Sequence, residues 1–146
     1  MIRKLLVLVV FGVAVVHPAM STDRIVVSGL PDAAELAGHA AEGITLVVDL
    51  RTPGEGLAQE AVQVAELGMR YVNLPVGSEA ASAMIMARVA SLVAETQGRV
   101  LLHCASGNRA AEVRVRMLRG AGMSREQALI EGRIMGLQPA REVFVQ

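Results

Sequence analysis

Beyond residue 23 the chain alternates short apolar runs with longer stretches in which apolar residues recur every three or four positions. An unbroken apolar run bounded by turn residues predicts a strand, and a 3.6-residue period predicts a helix. "RIVVS" at 24–28 is a first strand, closed by Gly29 and Pro31. A helix follows over 32–41 and stops at Gly43, then a buried strand "TLVVDL" at 45–50 runs into the turn "RTPGEG". Leu57, Ala61 and Val64 share one face of a helix over 57–67, which Gly68 ends. "MRYVNL" at 69–74 is the third strand, broken by Pro75 and Gly77. A long helix over 79–96 carries the stripe Ala81, Ile85, Val89 and Leu92, and Val100–His103 is the fourth and most buried strand. Helix then dominates: 110–119, a break at Gly120 and Gly122, and a second helix from the capping box Ser124-Arg-Glu-Gln127 to Ile134. The final "LQPAREVFVQ" carries no clear period. This order predicts a single-domain α/β fold, a central mostly parallel sheet of about four strands flanked by helices.

The start of the chain reads as an address. Arg3 and Lys4 precede an apolar run from Leu5 to Val16, and Ala19-Met20-Ser21 offers a cleavage site, so residues 1–21 are expected to be a signal peptide and 22–146 the folded domain. The run is shorter than the roughly 20 residues that span a bilayer, and an uncleaved segment is the one route to a membrane. The expected location is secreted or periplasmic. Without Arg3 and Lys4 the fourteen basic residues become twelve arginines against fourteen acidic groups, a balance that argues against nucleic-acid binding. Tyr71 and Phe144 are the remaining aromatics, so base- or sugar-stacking platforms are not expected either.

Chemistry concentrates in "VLLHCASGNRA" at 100–110, which holds the single cysteine, Cys104. One cysteine in an exported chain makes no internal disulfide. A strand that ends at a thiol and turns through a short Gly-containing loop into a helix places the sulfur under backbone N–H groups and the positive helix end. That field favours thiolate over thiol, and Arg109 adds a fixed charge whose planar fork matches two oxygens of a tetrahedral anion. The loop is built for a phosphate, sulfate or thiosulfate-like group that Cys104 attacks. No metal or cofactor is expected, since the two histidines and one cysteine of residues 22–146 show no ligand spacing, and no Gly-x-Ser-x-Gly elbow occurs.

Taken with "SGLPD" at 28–32, "VDLRTPGE" at 48–55 and "MRYVNLPVG" at 69–77, the "HCASGNR" loop resembles the phosphatase-like domain of the β-lactamase-hydrolase-like family, domain of unknown function 442, a relative of dual-specificity and tyrosine phosphatases. The resemblance runs from about Arg24 to Leu137. It implies a dual-specificity-phosphatase-like fold and phosphomonoester hydrolysis on a phosphorylated small molecule or phosphoprotein. Cys104 is then the nucleophile that forms a phosphocysteine, and Arg109 grips the phosphate. Ala105, Ser106, Gly107 and Asn108 supply the amide cradle, with His103 behind the cysteine. Arg51, on the edge of the sheet where α/β proteins bind ligands, is a candidate substrate contact or an ion-pair partner.

Three departures bear on rate. Four residues separate Cys104 from Arg109, where tyrosine phosphatases have five. An amide donor lost at roughly 3 kcal/mol would cost about a hundredfold. The stretch "PVGSEA" has no aspartate to protonate the leaving oxygen, which leaves Glu79 as candidate acid, with Asp49 a rival acid or, by preference, a structural hydrogen-bond acceptor. Ala110 replaces a customary hydroxyl. Weak phosphatase activity, or none, is therefore expected. The short loop also resembles that of rhodaneses, so the alternative is a sulfurtransferase carrying a persulfide on Cys104 between a sulfane-sulfur donor and a thiol acceptor. A third reading is a degenerate domain that only binds an anion.

Overall fold

A computed structural model describes residues 24–146. The expected signal peptide lies outside the described residues. Four strands, β1 (Ile25–Ser28), β2 (Ile44–Asp49), β3 (Arg70–Asn73) and β4 (Arg99–His103), form one sheet in the order β1-β4-β2-β3, and every neighbouring pair is parallel. Parallel neighbours need crossovers, and these are α1 (Ala33–Ala41), α2 (Ala58–Glu66) and α3 (Ala83–Glu95). After β4 the chain stays helical, with α4 (Asn108–Gly120), α5 (Arg125–Ile134) and a short α6 (Pro139–Glu142).

The two-residue period of the inner strands sorts side chains to opposite faces. Leu46, Val48, Val100 and Leu102 pack on Val89, Leu92 and Val93 of α3 and on Ala110, Val113 and Met117 of α4. Val47 and Leu101 point the other way, onto Leu36 of α1 and Val64 of α2. The opposite side of α4 is not solvated: Ala111, Val115 and Leu118 bury against Ala128 and Leu129 of α5, Leu137 and Val145. Each such side chain taken fully from water contributes about 1.5–3 kcal/mol, so the central strands and α4 carry the stability. That allows the loops at their ends to hold polar groups.

Two boundaries differ from the sequence expectation. The long helix begins at Ala83, where the Ser82 hydroxyl accepts from the Ile85 amide, and not at Glu79. Residues 76–81 stay out of helix because side chains of α4 and α6 take up their backbone groups, as described below. The helix after the cysteine begins at Asn108 behind Gly107, whose φ of 85° is the left-handed conformation that favours glycine, so Arg109 sits in the first turn. The unassigned C-terminal stretch folds as α6 with Pro139 at its start.

Candidate active site

Parallel strands present their C-terminal ends on one edge, and β2 and β4 are neighbours there, with Asp49 in register with His103. The loop from Cys104 to Gly107 leaves β4 at this edge and enters α4. Its chain turns back on itself: the Gly107 N–H donates to the Cys104 sulfur at 3.2 Å. The turn packs on the residues after β1, where Leu30 N–H donates to the Ala105 carbonyl at 3.0 Å. A side chain at Gly29 would come within 3.2 Å of that carbonyl, which gives the glycine of "SGLPD" its reason. Cys104 and Gly107 are buried, whereas Ala105 and Ser106 are exposed. Asn108 is half-buried, and its Oδ1 accepts from the Gln138 amide at 3.0 Å.

Arg109 meets a carboxylate 54 positions away in sequence, Glu55. Its Nη2 donates to Glu55 Oε1 at 2.6 Å and its Nη1 to Glu55 Oε2 at 2.9 Å and to the Val76 carbonyl at 2.8 Å. The pairing with Arg109, helped by the Thr52 amide, holds the Glu55 carboxyl down at about 2. Glu55 in turn raises the arginine, and the charge of a Cys104 thiolate would add to that effect. A cleft of about 400 Å³ opens here between Glu55, Gly77, Ser78, Ser106, Arg109 and Arg141.

The acid candidates stand elsewhere. Asp49 is fully buried, and its carboxylate accepts from Tyr71 Oη at 2.6 Å and from Arg51 Nη2 at 2.8 Å, N–H at 2.8 Å and Nε at 3.1 Å. Burial alone would raise its pKa, but the Arg51 and Tyr71 hydrogen bonds outweigh burial and hold it below the usual range. With its lone pairs taken, Asp49 is a structural acceptor. Glu79 is exposed, outside the lining of the cleft, and what it offers inward is its backbone carbonyl.

Arg51 and His103 lie deeper, beneath the loops. Arg51 is 2% exposed and closes an ion cluster with Asp49 and Glu60, and the space it borders, with Asp32, Gln59 and Glu60, is separate from the cleft at Arg109. His103 is fully buried, with Nε2 2.9 Å from Glu60 Oε1 and Nδ1 3.4 Å from the Cys104 carbonyl; it supports the loop from behind. Asp49, Glu60 and His103 bring one ligand-type atom each within 4.8 Å, a convergence that their spacing of 11 and 43 positions conceals. The Arg51 guanidinium lies among them as the balancing cation. Sequence reasoning missed Glu60 and the buried Glu112, because each occupies a polar-looking position on an amphipathic helix.

Known proteins carry the same architecture. The P. aeruginosa protein TpbA superposes with a TM-score of 0.68 at 21% identity, covering 83% of this chain and 78% of that one; another structure of TpbA holds pTyr. The core catalytic domain of the PP-IP phosphatase SIW14 from S. cerevisiae gives 0.69 at 14% identity, over 84% and 79%. At these identities the likeness establishes a dual-specificity-phosphatase-like fold. A β-lactamase hydrolase-like protein of Xylella fastidiosa (strain Temecula1) is 34% identical over 94 residues, which make up 60% of this chain and 22% of that protein. The chain thus spans about a fifth of the length of the curated relatives it matches. The model of the β-lactamase hydrolase-like protein phosphatase-like domain matches residues 19–118, and the chain belongs to that family.

Proposed function

We propose that this protein is a cysteine-dependent phosphatase of phosphomonoesters. The observation that carries the reading is the Cys104 sulfur receiving the Gly107 amide at the head of α4, with Arg109 in the first turn of that helix and lining the cleft there. In the first step the thiolate attacks phosphorus, the ester P–O bond breaks and the leaving oxygen takes a proton. Water then attacks the phosphocysteine, breaking P–S and releasing orthophosphate and the thiolate. Arg109 and the loop amides stabilise the charge on the equatorial oxygens in both steps. Glu55 stays ionised at neutral pH while paired with Arg109, so it orients the arginine and does not protonate the leaving group. Water supplies that proton, in keeping with a slow enzyme and with substrates whose leaving groups need little help.

The pTyr held in one TpbA structure and the PP-IP phosphatase name of SIW14 support a phosphorylated small molecule or phosphoprotein as substrate. The apolar leader supports action outside the cytoplasm. The four-residue loop favours one competing reading, a rhodanese-like sulfur transfer through a Cys104 persulfide. Mass spectrometry after brief exposure to an activated aryl phosphate or to thiosulfate separates the two. Phosphatase chemistry adds a phosphoryl group to wild type and nothing to Cys104→Ser. One added sulfur, without a phosphoryl adduct, overturns it.

A further inference from the structure

The wall of the cleft opposite Glu55 is the segment 76–81 between β3 and α3, and its backbone is held almost entirely from outside. Arg109 donates to the Val76 carbonyl. Arg141 Nη2 donates to the Gly77 carbonyl at 2.5 Å and the Ser78 carbonyl at 3.2 Å, and Nη1 to the Glu79 carbonyl at 3.4 Å. Ala81 gives its N–H to Glu112 Oε1 at 3.1 Å and takes Arg116 Nη1 on its carbonyl at 2.6 Å. Arg109, Glu112 and Arg116 are spaced three and four apart, one face of α4. Arg141 reaches the same place from α6.

Arg141 is joined to that face by its charge. Glu112 is fully buried, a position that is costly for a carboxylate unless cations and donors surround it. Arg141 Nη1 donates to Glu112 Oε2, Arg116 Nη1 lies 3.1 Å from Oε1, and the Arg141 guanidinium lies 5.6 Å over the Phe144 ring. Arg141 is itself 8% exposed. The matched family model stops at residue 118, so this arginine lies beyond it.

We infer that Arg141 is a positioning residue of the site: it fixes the 77–79 backbone as a static wall, and through Val76 it sets where Arg109 meets the phosphate. The part of the inference that concerns catalysis rests on the phosphatase reading; the fixing of the wall does not. The arrangement differs from a closing lid because the wall is held by buried charge before any ligand arrives. Loss of Arg141 leaves Glu112 with Arg116 and the Ala81 amide, and the exposed carbonyls at 77–79 regain water, so the sheet should persist while the wall loosens. A wall displaced by about an ångström moves Arg109 off line, a misplacement worth up to about a hundredfold in rate.

The test compares wild type, Arg141→Ala and Arg141→Lys by hydrogen exchange, by turnover of an aryl phosphate, and by calorimetric binding of inorganic phosphate. The expected result for Arg141→Ala is faster exchange across 76–82 with β2 and β4 unchanged, weaker phosphate binding, and kcat lower by about ten- to a hundredfold with KM changed less. Lysine, with one ammonium in place of the fork, should recover part of each. Unchanged exchange at 76–82 in Arg141→Ala overturns the inference, as does faster exchange with wild-type phosphate binding. A wild type that binds phosphate but turns nothing over sinks the phosphatase reading; the exchange and binding comparison then still decides whether Arg141 positions the site.

Discussion

Two arginines stand past the ends of neighbouring strands, Arg51 after β2 and Arg109 after β4, and each leans on a carboxylate. A guanidinium has five N–H donors. Arg51 commits all of them: Nε to Asp49, Nη2 to Asp49 and Glu60, and Nη1 to the carbonyls of Glu55 and Gly56 at 3.4 Å. Arg109 commits three, two to Glu55 and one to Val76, and lines the cleft. The same residue type is a strut in one place and, on the proposed phosphatase reading, a ligand grip in the other. Saturation of donors, more than charge or position, tells them apart.

The two are also linked in series. Arg51 holds the backbone of the turn Pro53–Glu55, and the side chain of that turn holds Arg109. Loss of the buried strut should therefore give the largest effect. Arg51→Met leaves Asp49 and Glu60 buried without their cation, a cost of about 3–5 kcal/mol. For a domain of this size the melting temperature should drop by about 10–20 °C. Thermal unfolding checks it, and a drop of only a degree or two would mean that the cluster is not held by Arg51.

Arg109→Lys should invert the pattern. Lysine keeps a charge but not the planar fork, so kcat/KM on a phosphomonoester should fall by about 10²–10³. The Glu55 pair is part-exposed, with side chains 15% and 30% accessible, and stability should change by less than about 1 kcal/mol. Steady-state kinetics beside a denaturant titration give both readings. A variant that loses stability and keeps its rate would erase the distinction between the two arginines.

This contrast also marks where the sequence could be read and where it could not. Strand runs and helical stripes are local, so all four strands and α1 to α5 are legible, and the Cys104–Arg109 loop announces itself through residue types fixed within six positions. Charged residues that meet across the fold leave no such trace. Arg51 looks like a loop cation and Glu60 and Glu112 like solvated helix positions, yet all three are buried because a partner 9 to 29 residues away in sequence neutralises them. The start of the long helix, expected at Glu79, moves to Ala83 for a related reason: Arg141 of α6 takes up the backbone around Glu79. The C-terminal stretch has no period because it is pinned by Arg141 and Val145 and lacks an apolar stripe of its own.

Glu55 gives the smallest effect and sharpens the comparison most. Its carboxyl is held at about 2 in the folded protein against an ordinary value near 4.5, chiefly by Arg109. A depressed folded value stabilises above the unfolded one and is lost on acidification. Wild type should therefore exceed Glu55→Gln in stability by a small, constant margin above about pH 5, and that margin should shrink as pH falls from 4.5 towards 2. Denaturant titrations at several pH values check this; a margin that persists at pH 2 would mean that the carboxylate is not what distinguishes the two proteins. The same ionisation sets a kinetic expectation. An acid ionised throughout the neutral range donates no proton to a leaving group, so Glu55→Gln should lower kcat/KM without removing any limb of the wild-type profile between pH 5 and 8. A limb that vanishes with Glu55 would make it the general acid, and Arg109 would then have to release it when phosphate binds.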